Sequence, residues 1–352
     1  MSVPIARSTL ALALALAGGI GCSSPTQPPL PAGLSRAGVD SLVREIDRGE
    51  FGAVQSLLLA LGDEPAAEFY FGQATADGLA PLYSVTKSVT ALLAGIAIDR
   101  GDLADEGERI APLFPTRAAA FADTLRTRIT IQDLLTMRAG LAWNEFAEPY
   151  ESPANPFRVM LASPDWIADL LGRPMAAVPG TRYVYNSGAS VLLGASIAMA
   201  GGRPLPDLAR ERLFDPLGIG VVNWQVGPHG VANSGAGLSM RPPDLVTIGR
   251  LVRDRGRFRG APVVSAAWID RMLAPATVAP LGAAYGYHWW LLGPGGSYDP
   301  DHPVAVALGW GGQVLAVDER TGLILVATSS NFDRDALVFA QALVRRMAAL
   351  LE

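Results

Sequence analysis

In the stretch YSVTKSVT, residues 83 to 90, Ser84 stands three residues before Lys87. Lys87 is the only lysine in the chain, and arginine fills the other 27 of the 28 Lys and Arg positions. The two cations are not interchangeable. A guanidinium keeps its proton near neutral pH, whereas a desolvated ammonium can lose one and act as a base. One lysine in such a background either survived a drift toward arginine by accident or marks a position where arginine fails. The spacing supports the second reading. The apolar pattern Val89, Leu92, Leu93, Ile96 predicts a buried helix from Thr86 to about Arg100, so Ser84 and Lys87 share one face at its start. The free N–H groups and partial positive charge of a helix N-terminus favour an alkoxide and the oxyanion of an attacked carbonyl. A serine held there beside a base is the requirement of nucleophilic catalysis.

Two later segments carry residues of matching chemistry. PGTRYVYNSGASVLLG places Tyr185 and Ser187 in a Tyr-x-Ser pattern, and LGWGGQVLAVDERTGLILVATS begins with a glycine-rich turn that leads into a strand. Tyr183 is the competing tyrosine, but only Tyr185 heads the pattern. Together with S-x-x-K, these segments resemble the serine β-lactamase and penicillin-binding-protein superfamily, whose marks are S-x-x-K, then Y-x-N or Y-x-S, then a K-T-G-like strand. The resemblance spans roughly residues 40 to 350. It includes LLTMRAGL, RLFDPLGI, GAGLSMRPPDL and YGYHWW, and it is nearest to the class C-like branch with the esterases and 6-aminohexanoate-dimer hydrolases.

The resemblance implies that Ser84 is the acylated nucleophile, that Lys87 deprotonates it or holds the proton network, and that Tyr185 shuttles a proton to the leaving group. Whether Lys87 or Tyr185 is the acylation base stays open at this level. It also implies oxyanion and substrate contacts from Ser84, Ser187, Trp310, Gly311, Gly312 and Gln313, and no cofactor or metal. One departure matters. Trp310, Gly311 and Gly312 align with K-T-G, so the lysine that often anchors a β-lactam carboxylate is absent, with Arg241 a conceivable substitute. The expected function is therefore a serine hydrolase cleaving esters or amides of small carboxylic acids. The alternatives are a β-lactamase or D,D-peptidase, and a non-catalytic ligand-binding receptor on the same fold. There is no G-x-S-x-G elbow and no H-E-x-x-H, and His229, His288 and His302 have no metal-ligand neighbours at useful spacing.

These residues need elements to hold them. A helix is expected over 36 to 49, and VQSLLLALG and AEFYFG flank the turn DEP as a hairpin. Short helices separated by Pro and Gly follow in TIQDLLTM, PDWIADLLG, ASVLLGASIAMA, LPDLARERLF and PPDLVTIGRLVRD. The chain then returns to strands in YGYHWWLL, VAVALGW, QVLAVD and GLILVATSS, reads GPGGS as a hairpin tip, and ends in a helix from about Asp335 to Leu351. This order predicts an α+β fold: an antiparallel sheet formed from both chain ends, flanked by terminal helices, with an inserted mostly helical lobe. The sheet lobe is expected over about 35–80 and 260–352, and the helical lobe over about 81–259.

The first 22 residues read as an export signal, with Arg7 before the apolar run TLALALALAGGI and small residues before Cys22. GIGC resembles a bacterial lipobox, with Gly19 where Leu is usual, which makes Cys22 the expected lipidation site and membrane anchor. Ordinary secretion is the alternative. Residues 23–34 read as a Pro- and Ser-rich tether, and 35–352 as the hydrolase domain. The expected location is the periplasm, the expected partner a small-molecule ester or amide, and the expected state a monomer. A net charge of −5 without a basic cluster gives no footprint for nucleic acid.

Overall fold

A computed structural model of the chain describes residues 29–352. The expected export signal, Cys22 and the first part of the expected tether lie outside the described residues. Among the described residues, ten α-helices run in the order Arg36–Asp47 (α1), Val85–Asp99 (α2), Ile131–Leu135 (α3), Pro156–Ala162 (α4), Trp166–Gly172 (α5), Ser187–Ala200 (α6), Leu205–Ala209 (α7), Pro242–Arg253 (α8), Ala266–Met272 (α9) and Ala336–Met347 (α10).

The strands are Val54–Leu61 (β1), Ala67–Tyr70 (β2), Ala80–Pro81 (β3), Val222–Trp224 (β4), Leu238–Met240 (β5), Arg257–Phe258 (β6), Ala261–Pro262 (β7), Thr277–Val278 (β8), Ala284–Tyr285 (β9), Trp290–Leu292 (β10), Val304–Gly309 (β11), Gln313–Asp318 (β12) and Leu323–Ser329 (β13). The main sheet is antiparallel with the order β2-β1-β13-β12-β11-β10-β9-β8. Its central junction joins the two ends of the chain, with Leu57 opposite Ala327 and Leu59 opposite Leu325.

The apolar runs of the central strands follow from burial on both faces. Successive side chains point to opposite sides, so Leu57, Leu59, Val314 and Ala316 pack with α1 and α10, while Leu58, Ala60, Leu315 and Val317 pack toward α2 and α8. Each such leucine contributes roughly 1.5–3 kcal/mol relative to an exposed one. The helical region from α2 to α8 is inserted between β2 and the later strands, as the order of elements predicts. Among the described residues, no helix is long and apolar enough to cross a membrane.

Three local departures from the expected elements have physical causes. YGYHWWLL is not one strand: it breaks between β9 and β10, where His288 takes φ +58° and donates its N–H to the Leu135 carbonyl. LPDLARERLF divides into α7 and a wider π turn over Arg210–Phe214. A small sheet of order β3-β5-β4 has no counterpart in the sequence reading, because two- and three-residue strands are too short to show alternation. That sheet matters for the site. The Leu82 N–H continues it by donating to the Leu238 carbonyl, two residues before Ser84.

Candidate active site

Ser84 is the N-cap of α2. A serine there ordinarily spends its hydroxyl on a backbone N–H of the first turn. Ser84 has helical angles, φ −69° and ψ −8°, and makes no such bond. Its Oγ instead accepts a hydrogen bond from Lys87 Nζ at 2.8 Å. Among the described residues, the Ser84 N–H has no backbone acceptor, whereas those of Val85, Thr86 and Lys87 donate to Leu82, Tyr83 and Ser84. It is thus free to meet an oxyanion at the positive end of a fifteen-residue helix.

The residue before Ser84 is under backbone strain. Tyr83 adopts φ +46°, a left-handed conformation that a non-glycine residue holds only where its surroundings enforce it. Those surroundings are aromatic. The Tyr83 ring meets Trp310 edge-on at 5.3 Å and Phe332 at 5.9 Å, and Trp310 and Phe332 lie 4.6 Å apart. Trp310 stands at the tip of the β11–β12 hairpin. Gly309 allows that tip to approach, since a Cβ there would lie 2.3 Å from the Leu82 carbonyl oxygen. Gly311 and Gly312 complete the turn at φ +77° and +82°, values that favour glycine.

Every residue of α2 from Val85 to Ala97 is buried, Lys87 included at 1 % exposure. Its ammonium is stripped of water but not of partners: Nζ also donates to Ser187 Oγ at 2.9 Å and to the Gly235 carbonyl at 2.7 Å. Burial lowers its pKa to about 8, against the opposing pull of the Glu145 carboxylate. Ser187 opens α6, whose N-cap is Asn186, and the packing of α2 against α6 brings Ser187 to Lys87 across 100 residues of sequence. Tyr185, just before that cap, has its hydroxyl near Ser84 and its ring 4.9 Å from Lys87 Nζ. Its phenol is pushed well above the usual range by burial first and by the Glu145 carboxylate second, although the bond to Ser84 pulls the other way. Tyr183, the competing tyrosine, points its hydroxyl into the interior, where it meets no hydrogen-bond partner among the described residues.

The structure therefore brings Ser84, Lys87, Tyr185 and Ser187 together. Ser84 and Tyr185 line a cleft of about 550 Å³ with two aromatic walls, and Lys87 and Ser187 are buried. On one side Phe146 stacks on Tyr185 at 5.4 Å, and Tyr185 on Trp290 at 6.1 Å. On the other, Tyr150 lies 5.3 Å from Trp310, next to Phe332. The lining also includes Glu148, Glu151 and Asp335, with Arg334 the one cation among the described residues that line it. Trp310 lines the cleft, but Gly311, Gly312 and Gln313 do not. The Gln313 side chain turns into the sheet and donates to the Ser329 carbonyl. Arg241, the conceivable stand-in for the missing lysine, is held by two 2.9 Å bonds to Asp244 and is absent from the lining.

One buried side chain at the centre has no motif to announce it. Glu145, 1 % exposed, accepts bonds from Ser187 N–H at 2.6 Å, Ser187 Oγ at 2.5 Å, Trp143 Nε1 at 2.9 Å and Tyr150 OH at 2.7 Å. It sits in an irregular loop braced by Asn155, whose Nδ2 donates to the Glu145 and Glu148 carbonyls. An acid in such a loop has no periodicity for a sequence reading to find. The histidines are not part of this chemistry. Burial and Lys87 push His288 down to about 3, so it is neutral and its single ring N–H can donate to only one of the two carbonyls it faces, that of Lys87 from Nδ1 or that of Leu134 from Nε2. His302 pairs with Asp318 at 2.9 Å, and His229 is exposed near Asp165.

Known proteins share this fold. The Beta-lactamase family profile matches residues 39–349. A 6-aminohexanoate-dimer hydrolase from Paenarthrobacter ureafaciens is 25% identical over 303 residues, which cover 80% of this chain and 73% of that protein. Among solved structures, a provisionally named 6-aminohexanoate-dimer hydrolase from Bacillus anthracis superposes with a TM-score of 0.72 at 17% identity, covering 86% of this chain and 81% of the other. The D-amino acid amidase of Ochrobactrum anthropi SV3, complexed with D-phenylalanine, gives 0.67 at 20% identity, covering 88% and 98%. At these identities the structural likenesses speak to the fold, and the profile match speaks to descent. The chain belongs to the Beta-lactamase family of serine hydrolases.

Proposed function

We propose that the protein hydrolyses esters or amides of small carboxylic acids through an acyl-enzyme on Ser84, with Lys87 as the base and Tyr185 as the proton donor to the leaving group. The observation that carries this reading is the 2.8 Å contact between Ser84 Oγ and a buried lysine with a pKa of about 8. A substantial fraction of Lys87 is neutral near that pH and can take the Ser84 proton as Oγ attacks the carbonyl. The carbonyl electron pair moves to the oxygen, which faces the start of α2 and the Ser84 N–H. Tyr185 keeps its proton at neutral pH because its pKa is raised, so it is poised to donate rather than to accept. It protonates the leaving group as the tetrahedral intermediate collapses, and the proton on Lys87 restores the phenol. Water then repeats the sequence on the acyl-enzyme. An active-site fluorophosphonate should add one adduct per chain at Ser84 by peptide mass analysis. Full labelling of a Ser84→Ala protein would remove the assignment.

The cleft favours substrates that carry no carboxylate near the reacting bond. Trp310 stands where relatives of the superfamily place an anchoring lysine, and Glu148, Glu151 and Asp335 outnumber Arg334 along the lining. Like charges at a recognition surface select against an anion. Short p-nitrophenyl esters should therefore have a higher kcat/KM than nitrocefin. The reverse order would make the β-lactamase reading the better one.

A further inference from the structure

Lys87 Nζ meets three oxygens: Ser84 Oγ at 2.8 Å, Ser187 Oγ at 2.9 Å and the Gly235 carbonyl at 2.7 Å. An ammonium satisfies all three with its three hydrogens. A neutral amine has two hydrogens and one lone pair, and it works as a base only if that lone pair faces Ser84. The Gly235 carbonyl has no hydrogen and must accept. Ser187 has one hydroxyl hydrogen, and Glu145 Oε1 lies 2.5 Å away to receive it. Ser187 Oγ is then left only with acceptor capacity toward Lys87. By elimination the lone pair points at Ser84, whose hydroxyl must donate to it.

We infer that Glu145 is a positioning residue that aims the Lys87 lone pair at the nucleophile by fixing the hydroxyl hydrogen of Ser187. Glu145 does not act on substrate. Oε1 accepts from Ser187 Oγ and Tyr150 OH, and Oε2 accepts from the Ser187 N–H and Trp143 Nε1. Four donors fill the roughly four lone-pair sites of a carboxylate, which leaves none to take a proton from water. Its effect reaches the reacting atoms only through Ser187 and Lys87. In the acylation step the Ser84 Oγ–carbonyl bond forms, the carbonyl π pair moves to its oxygen, and the Ser84 proton passes to the lone pair that Glu145 has directed.

Replacing the carboxylate by an amide breaks this logic in a way that packing alone does not. The side chain of a Glu145→Gln variant would present an N–H₂ that can donate to Ser187 Oγ, which frees the Ser187 hydrogen to point into the Lys87 lone pair. Such an enzyme should lose about 10-fold or more in plateau kcat/KM, a partial loss, since the base is misdirected and not removed, set against the roughly 10²–10⁴-fold of losing a general base outright. Its pH profile should also move. The ionisable groups facing Lys87 are Glu145, Tyr185, Tyr150 and, behind its carbonyl, His288, and of these Glu145 is the one that raises the Lys87 pKa. Removing that charge favours the neutral amine, so the acid limb, near pH 8 in the native enzyme, should shift to lower pH while the plateau drops.

Ser187→Ala supplies the second arm, because it deletes the intermediary without touching the carboxylate. It should lower the plateau on its own, and in that background Glu145→Gln should cost less than about 3-fold more, the signature of two residues acting as one unit. The inference fails if a Glu145→Gln enzyme with a native melting curve keeps the native plateau and acid limb. It fails equally if the two plateau losses multiply, or if Ser187→Ala leaves the plateau unchanged, an outcome readable even where Glu145→Gln does not fold. This inference rests on the proposed hydrolase reading, and the two fail differently. An unreactive wild type, unlabelled at Ser84, removes that reading, whereas a reactive wild type with independent variants removes only the role of Glu145.

Discussion

A Lys87→Arg protein should fold and lose on the order of 10²-fold or more in kcat, the scale of removing a general base. Arginine satisfies the demand for positive charge at every other basic position of this chain, so the substitution asks whether charge is what position 87 supplies. A guanidinium could still donate toward Ser84, Ser187 and the Gly235 carbonyl, but it cannot give up a proton and later take one from Ser84. Space works against it as well. Lys87 ends among three oxygens at 2.7–2.9 Å, with the Tyr185 ring 4.9 Å away, and a larger planar head must displace at least one of them. A misfit cation in this buried position would lower stability and imitate a catalytic loss. The comparison therefore requires variant enzyme whose thermal melt and circular dichroism match the native protein. Turnover near the native rate by such an enzyme would reduce Lys87 to a charge anchor and remove its role as the base.

The second large effect belongs to Tyr185, and its size should depend on the substrate. A Tyr185→Phe enzyme keeps the ring that stacks between Phe146 and Trp290 and loses only the hydroxyl near Ser84. With its raised pKa, the phenol's contribution is a proton delivered to the leaving group. A p-nitrophenolate departs without one, but an amine from an anilide or an alkoxide from an alkyl ester needs it. The variant should therefore lose on the order of 10²-fold or more in kcat against anilides and alkyl esters, and far less against p-nitrophenyl esters. Equal losses across all leaving groups would place Tyr185 on the attacking side of the reaction, as the base or a brace for Lys87, and overturn the division of roles proposed above.

Much of this architecture was legible in the residues, for physical reasons. The hairpin of β1 and β2, the buried α2 and the late strands announce themselves because regular elements repeat their apolar positions. Ser84 and Lys87 stand out by fixed spacing and by the rarity of lysine, and Tyr185 and Ser187 by a Tyr-x-Ser pattern to which the family resemblance gives its meaning. What stayed hidden depends on irregular backbone. Glu145 reaches the site from a loop whose shape is set by Asn155, a residue with no motif of its own. The strain at Tyr83 depends on Trp310 and Phe332, which lie far along the chain in the late hairpin and just after β13. The break at His288 interrupts a run whose composition is that of a continuous strand, because the backbone there bonds to Leu135 of another element. Gln313 shows the opposite error: it is next to the right turn in sequence, yet its side chain is spent on the Ser329 carbonyl and does not line the cleft.

The aromatic clasp on Tyr83 also constrains how this protein could change its diet. A lysine at position 310 is the alteration that would offer a β-lactam carboxylate its usual anchor, and it changes only one residue. That same step withdraws one of the two rings that press Tyr83 into its left-handed turn, the turn from which Ser84 emerges. Relaxing a strain worth roughly 1–3 kcal/mol would let the nucleophile's neighbour fall back to ordinary geometry. The choice of residue at the anchor position and the seating of Ser84 are thus locked to one tryptophan, and a lineage moving toward carboxylate-bearing substrates would have to rebuild the clasp before it could profit from the anchor.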